Sequence, residues 1–333
     1  MKRLTFRNPL MLRIAAFAFM VIVVGAIFSA TAPNFLSLTN VQAIFRHMSA
    51  SGVAALGLTF VIVVNRFDLS FPGIASFGAM TLGILISMGY PLWLAILLGV
   101  GAGTVLGLIN GLAIGYFNLP DIVTTIAVGS VASGLSFLYS GGMTLSDNFM
   151  LSGILDVNDR KIIGISGPVF VMVLLFLAAG IVIHATRYGR GLYAVGENAV
   201  AAHYSGVRVR ALIAFAFVMC GALACWAAVM LSAQSGRSDV TAGSGLMMPA
   251  YAAVFLGAAL FGKASAPATF AGALLISIIL NGCTLMAMPY YYSDAIISAI
   301  LILAISIFDP RISDFLRRLT SGRNAPTSPG QEA

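Results

Sequence analysis

Residues 186–206 read TRYGRGLYAVGENAVAAHYSG, a polar stretch set between two apolar runs that are each long enough to span a bilayer. It carries Arg187, Arg190, Glu197, Asn198, His203 and Ser205 in a chain of 333 residues that is 59% hydrophobic and only 9% charged. With a mean hydropathy of +0.99, the composition lies far outside that of a soluble domain. A helix-forming polar piece kept between two spans, on the side that collects positive charge, reads as a docking segment for a cytoplasmic partner.

Outward from this stretch, apolar runs recur along almost the whole chain, at 14–32, 46–64, 69–88, 91–117, 121–140, 167–186, 211–233, 246–262, 267–288 and 294–308. They predict an all-α polytopic membrane protein of about ten transmembrane helices, because a helix satisfies its own backbone in hydrocarbon. The alternating pattern of an outer-membrane barrel is absent. The runs 246–262 and 294–308 are short enough to be broken, tilted or partly re-entrant.

Ten crossings put both termini on one side, and the charges choose the cytoplasm. Lys2, Arg3, Arg7 and Arg13 precede the first run, which lacks a convincing small-residue cleavage site and is expected to stay as a helix. Arg66, Arg187, Arg190, Arg208, Arg210, Lys263, Arg311, Arg317, Arg318 and Arg323 fall on the same side. Together these are fourteen of the 18 basic residues. Arg46, Arg160, Lys161 and Arg237 are left outside. The formal charge of +7 is therefore placed where insertion puts it, and nucleic-acid binding is disfavoured.

The chain accordingly divides into a cytoplasmic N-terminus (1–13), a transmembrane domain (14–308) and a cytoplasmic tail (309–333) expected to be disordered. The transmembrane domain includes the polar loop 187–210. It also includes an outer connection, 141–166, with Asp147, Asp156, Asp159, Arg160 and Lys161, which reads either as a small cap that meets an external partner or as a solvated linker.

Several polar groups interrupt the apolar runs. Asn65-Arg66-Phe67-Asp68-Leu69-Ser70 separates two spans by almost nothing; it is either a cytoplasmic turn in which Ser70 or Asp68 caps the next helix, or a broken-helix element beside a translocation path. In Leu119-Pro120-Asp121, proline followed by an acid is helix-start chemistry, and Thr124 and Thr125 follow it with hydroxyls suited to a polar route. Asn110 and Asn281 lie inside apolar runs, while Tyr290, Tyr291 and Tyr292 suit an interfacial aromatic belt. Gly99, Gly103, Gly107, Gly111 and Gly115 recur every four residues and predict a face for close helix packing.

Cys220, Cys225 and Cys283 have neither disulfide nor metal spacing and read as small packing residues. No catalytic cluster or metal-ligand pattern is found, and no GxxxxGK[ST] loop, so any ATP-powered step requires a separate subunit.

These residues resemble the permease subunit of ATP-binding-cassette importers for ribose and related monosaccharides, a family that includes xylose and autoinducer-2 permeases. The resemblance covers nearly the whole chain. It rests on Asn34-Phe35-Leu36 with Asn40, on residues 55–62 (ALGLTFVI), on Asp68-Leu69-Ser70, on Asn110-Gly111 and on residues 120–124. Most specifically, it rests on Gly189-Arg190 continued by Ala194, Gly196, Asn198, Ala201, Ala202, Ser205 and Gly206. Asn65-Arg66-Phe67 departs from the family's glycine pair and isoleucine, and the glycine-rich segment after the eighth helix is reduced to residues 256–265.

The resemblance implies an inner-membrane, multi-pass permease without its own ATPase site, carrying a monosaccharide or related polyol. It implies that Arg187, Arg190, Glu197, Asn198, Ala201, Ala202, Ser205 and Gly206 form the loop that seats on a cytoplasmic ATPase, with small Ala201 and Ala202 allowing close approach. Asn65, Asp68, Ser70, Asn110, Thr124 and Asn281 are the candidate translocation path. No cofactor is expected on this chain, ATP and Mg being held by the ATPase. The expected partners are that ATPase, a periplasmic or extracellular sugar-binding protein, a second permease (identical or related) and the lipid bilayer. The alternative is a proton- or sodium-coupled secondary transporter, which needs a membrane-embedded acid such as Asp68, Asp121 or Asp294.

Overall fold

The computed structural model describes residues 9–308; residues 1–8 and 309–333, which hold Lys2, Arg3, Arg7, Arg311, Arg317, Arg318 and Arg323, lie outside the described residues. In chain order the elements are α1 (Pro9–Thr31), α2 (Leu38–Val63), α3 (Phe71–Ser87), α4 (Leu92–Gly115), α5 (Asp121–Ser140), α6 (Ile154–Asp159), β1 (Lys161–Ile162), β2 (Ile165–Ser166), α7 (Gly167–Ala185), α8 (Arg187–Tyr204), α9 (Val209–Ser235), α10 (Met247–Phe261), α11 (Ala266–Leu285) and α12 (Ser293–Phe308). Eight of the described helices are long and apolar enough to cross a membrane, and α3 and α12 are shorter apolar helices. Each of the ten expected spans thus coincides with one helix.

The largest shift of a boundary is in α2, which starts at Leu38 and not near 46. Its first turns carry Asn40, Gln42, Arg46 and His47, so hydropathy hides them, but Ser37 caps the helix by accepting from Asn40 N at 3.2 Å. The outer connection 141–166 folds as the short α6 followed by an antiparallel two-residue hairpin, β1–β2.

Helices α2 and α9 form the centre, packed on each other with Leu56, Phe60, Phe217 and Cys220 fully or almost fully buried. The outer face of α9 meets α4, and α3 fills the angle between α4, α5 and α9. On the other flank α10 and α11 pack on α2, with α12 against α10 and α1 at the periphery against α10 and α11.

The seam between α4 and α9 is made of backbone. A Cβ built on Gly103 or Gly107 would collide with the carbonyl oxygens of Gly221 and Phe217; on Gly111 and Gly115 it would lie 2.6 Å from Ala214 Cα and 2.7 Å from Arg210 O. Gly99 instead faces Gly78 of α3, with 3.1 Å from such a Cβ to the Gly78 carbonyl oxygen. Gly103, Gly107, Gly111 and Gly115 therefore sit where any side chain would force two helices apart, and Gly99 where one would be tight.

Three helices are short for a crossing on their own. At 1.5 Å per residue, α3 with 17 residues, α12 with 16 and α10 with 15 reach about 25 Å, about 24 Å and about 22 Å against a hydrocarbon core of about 30 Å, and α10 reaches the 18 residues of a candidate span only with the turn 244–246 ahead of it. The chain enters α10 through a run of turns, ending in a 3-10 turn at Ser244–Leu246, that passes along the side of α3. Ser238 pairs its backbone with Leu145 at 2.8 and 2.9 Å beside Gly83, and five residues on, Gly243 N donates to Ser76 Oγ at 3.0 Å against Pro72. The first turns of α3 and α10 therefore lie side by side inside the bundle, with the Phe71 and Tyr251 rings in edge contact at 5.9 Å.

Candidate functional site

The polar stretch of α8 is two helical pieces. Thr186 starts the first by accepting from Tyr188 N at 3.2 Å and Gly189 N at 3.4 Å. The helix breaks at Asn198 (φ −159°, ψ 98°), whose Oδ1 accepts from Ala201 N at 2.9 Å and so caps the second piece, 199–204. Ser205 ends it, and Gly206 takes the left-handed conformation (φ 81°) that glycine adopts without penalty.

The first piece is clamped to the bundle. A Cβ on Gly196 would strike the Val63 carbonyl at the end of α2, and Tyr193 donates its hydroxyl to Ala264 O at 2.9 Å in the α10–α11 turn. Lys263 Nζ stands 4.6 Å over the Tyr193 ring. The second piece projects, with Val200, Ala201, His203 and Tyr204 exposed, Tyr204 by 86%. Ala202 is buried in this chain's own core at 5% exposure, which corrects the expectation that both alanines face a partner. Arg187, Arg190, Glu197 and Asn198 are exposed, and Ser205 Oγ turns back to Ala201 O at 2.9 Å.

A second polar group lies in the turn between α2 and α3. Asp68 is 1% exposed; its Oδ1 accepts from Ser70 N at 2.8 Å and from Ser70 Oγ at 2.5 Å. Ser70 Oγ in turn accepts from Asn110 Nδ2 of α4 at 2.7 Å, and Tyr251 of α10 donates its hydroxyl to the Asp68 carbonyl at 2.7 Å. From α5, Thr125 Oγ1 accepts from Leu69 N at 3.1 Å and Asp121 Oδ2 from Phe67 N at 3.0 Å. Asn65, with φ 55°, shapes the turn.

Burying these groups is costly unless they bond one another, and together they tie one short turn to α4, α5 and α10. Asp68 Oδ2 and Asn110 Oδ1 are buried without a hydrogen-bond partner among the described residues, Cys220 of α9 lying against the carboxyl. Ser70 holds the cap position of α3 yet makes no side-chain cap, because its hydroxyl proton goes to Asp68.

A family model described as the branched-chain amino acid transport system / permease component matches residues 40–305. The chain belongs to that family. Among its relatives, the permease is 27% identical to the ribose import permease protein RbsC of Escherichia coli over 292 residues, covering 86% of this chain and 90% of that protein. It is 30% identical to the L-arabinose ABC transporter permease protein AraH of Azospirillum brasilense, covering 86% and 85%. With the autoinducer 2 import system permease protein LsrC of Photorhabdus luminescens it shares 30%, covering 89% of each. The chain is thus the multi-pass, inner-membrane permease subunit of a bacterial ABC importer, a transport component whose partners are in general an ABC ATPase and a substrate-binding protein. The ion-coupled alternative falls with that membership.

Of the candidate path residues, the permease brings Asn65, Asp68, Ser70 and Asn110 to one locus. Thr124 stands beside it but turns its hydroxyl back to Pro120 O at 2.8 Å; the neighbouring Thr125 makes the contact. Asn281 is elsewhere, in a reciprocal amide pair with Asn40 at 2.8 and 3.0 Å between α11 and α2. Tyr251 and Asn40 were not legible as site residues, the first being one of three aromatics in an apolar run and the second lying ahead of the expected helix. The three cysteines are buried and free, and no metal-ligand cluster exists among the described residues.

Proposed function

We propose that this permease carries a monosaccharide or related polyol and that its ATPase seats on the 199–204 helix. The carrying observation is the break at Asn198, which holds a short capped helix away from the bundle while Gly196 and Tyr193 fasten its stem to α2 and to the α10–α11 turn. A push on the projecting helix reaches two flanks of the bundle through these fastenings, biasing inward- against outward-facing states. Ala201 offers the close approach, Glu197 and Ser205 flank the short helix in the chain, Gly206 ends it, and Arg187 and Arg190 are exposed on the stem for the same partner.

The names of the relatives, for ribose, L-arabinose and autoinducer 2, support a polyol cargo. In this reading Asp68, Ser70 and Asn110 fasten helices together and do not touch sugar, because their polar atoms are buried and mostly engaged. The chain holds no nucleotide; ATP and Mg belong to the partner ATPase. A sugar-binding protein meets the 141–166 cap, and a second permease, identical or related, completes the path.

The test is Ala201→Glu in the full complex. Co-purified ATPase and uptake of radiolabelled sugar should each fall at least roughly tenfold, the loss expected when about 1.4 kcal/mol or more of docking is removed, while the permease stays in the membrane. Unchanged association and uptake would sink the docking reading.

A further inference from the structure

Of the four basic residues left outside, Arg46, Arg160, Lys161 and Arg237, the fold brings Arg46 and Lys161 to the lining of one cavity. A cavity of about 350 Å³ opens beneath the β1–β2 hairpin, with Arg46 of α2, Lys161, Asp159 and Ser166 at its mouth and Met172 and Phe270 in its wall. A second cavity of about 600 Å³ shares Val173 and Phe270 with it and continues past Phe176, Leu177 and Gly180 to Ala185 and Ala266. The two form one groove between α7 and α11. Below the mouth its lining is apolar, and Phe176 and Phe270 meet edge to face at 5.3 Å to make the floor.

We infer that this groove binds a phospholipid of the outer leaflet, its phosphate between Arg46 and Lys161 and an acyl chain along α7. The lining along α7 runs from Val169 to Ala185, sixteen residues or about 24 Å of helix, which is longer than the about 15 Å of half a hydrocarbon core and so has room for an outer-leaflet acyl chain. The charge fits as well, since two cations and one carboxylate match a phosphate that carries an ammonium, and Asp159 is the group for that ammonium. The headgroup is therefore zwitterionic, of the phosphoethanolamine type. This also gives the misplaced basic residues a partner at the membrane surface, where phosphate is the abundant anion.

Native mass spectrometry of the full-length permease, loaded with phosphatidylethanolamine or phosphatidylglycerol, tests this. The wild type should retain phosphatidylethanolamine in preference. The double variant Arg46→Ala/Lys161→Ala should cut retention about tenfold by removing the phosphate contacts. Gly180→Phe should do so by filling the groove, since a Cβ there meets nothing within 4 Å and the ring points back toward Phe176. If Gly180→Phe misfolds, the double variant decides alone. Equal retention by wild type and double variant, equal retention of the two lipids, or loss of a second permease copy with lipid unchanged would each overturn the assignment.

Discussion

Gly107→Ala tests the α4–α9 seam most sharply, with Gly101→Ala as its partner experiment. Both positions are mid-helix, so alanine gains up to about 1 kcal/mol of helix propensity at each. At Gly101 a Cβ meets nothing within 4 Å, and that gain should appear undiminished. At Gly107 the same methyl lands on the Phe217 carbonyl, which belongs to a helix backbone and has no rotamer to give. Overpacking of this kind costs about 1–3 kcal/mol.

The two variants should therefore differ by about 2 kcal/mol in opposite directions around wild type, more than a tenfold ratio in unfolded population. Reversible unfolding in mixed micelles reads this directly, since the chain's two tryptophans, Trp93 on α4 and Trp226 on α9, report on the two helices that must separate. A Gly107→Ala protein as stable as Gly101→Ala would refute the claim that the helices touch through backbone.

Two further outcomes follow from single contacts. Ser70→Ala leaves the Asn110 amide without its buried acceptor and should destabilise by about 1–3 kcal/mol, while adding Asn110→Ala should cost much less than the sum; full additivity in the same unfolding assay would show that the pair is not coupled. Asn198→Ala removes the cap of the 199–204 helix, about 1 kcal/mol, and should speed amide exchange there several-fold with the spanning helices unchanged. Exchange that does not change at 199–204 would mean that the helix needs no cap.

Helix number and type were legible because hydrocarbon demands long apolar helices, and the glycine stripe was legible because small-residue spacing survives in one dimension. The polar residues at 186–206 announced a helix that does not span the membrane, though not that its first piece would be clamped to the bundle. What could not be read was direction: Ala201 and Ala202 look alike in sequence, yet the roughly 100° between successive helical residues puts one outside and the other in the core. Nor does sequence reveal partners distant along the chain. Asn281 looked like a companion of Asn110, but its amide is satisfied by Asn40, some 240 residues away, in a helix turn that hydropathy hid. Pro120-Asp121 marked the start of α5 correctly, while the carboxylate's reach across to Phe67 depends on a turn whose position only packing fixes.

The meeting of α3 and α10 has an electrostatic side. Both helices bring their N-terminal ends to the interior, and each such end carries the equivalent of about half a positive charge. Two converging ends supply about one charge where no arginine or lysine is needed, and a single carboxylate, Asp68, lies in the turn that leads into one of them. That balance explains how an acid sits so deep in the bundle with no basic side chain among its hydrogen-bond partners. The two helix ends and the one acid thus nearly cancel, so this junction holds three elements together while adding little net charge to the middle of the bundle.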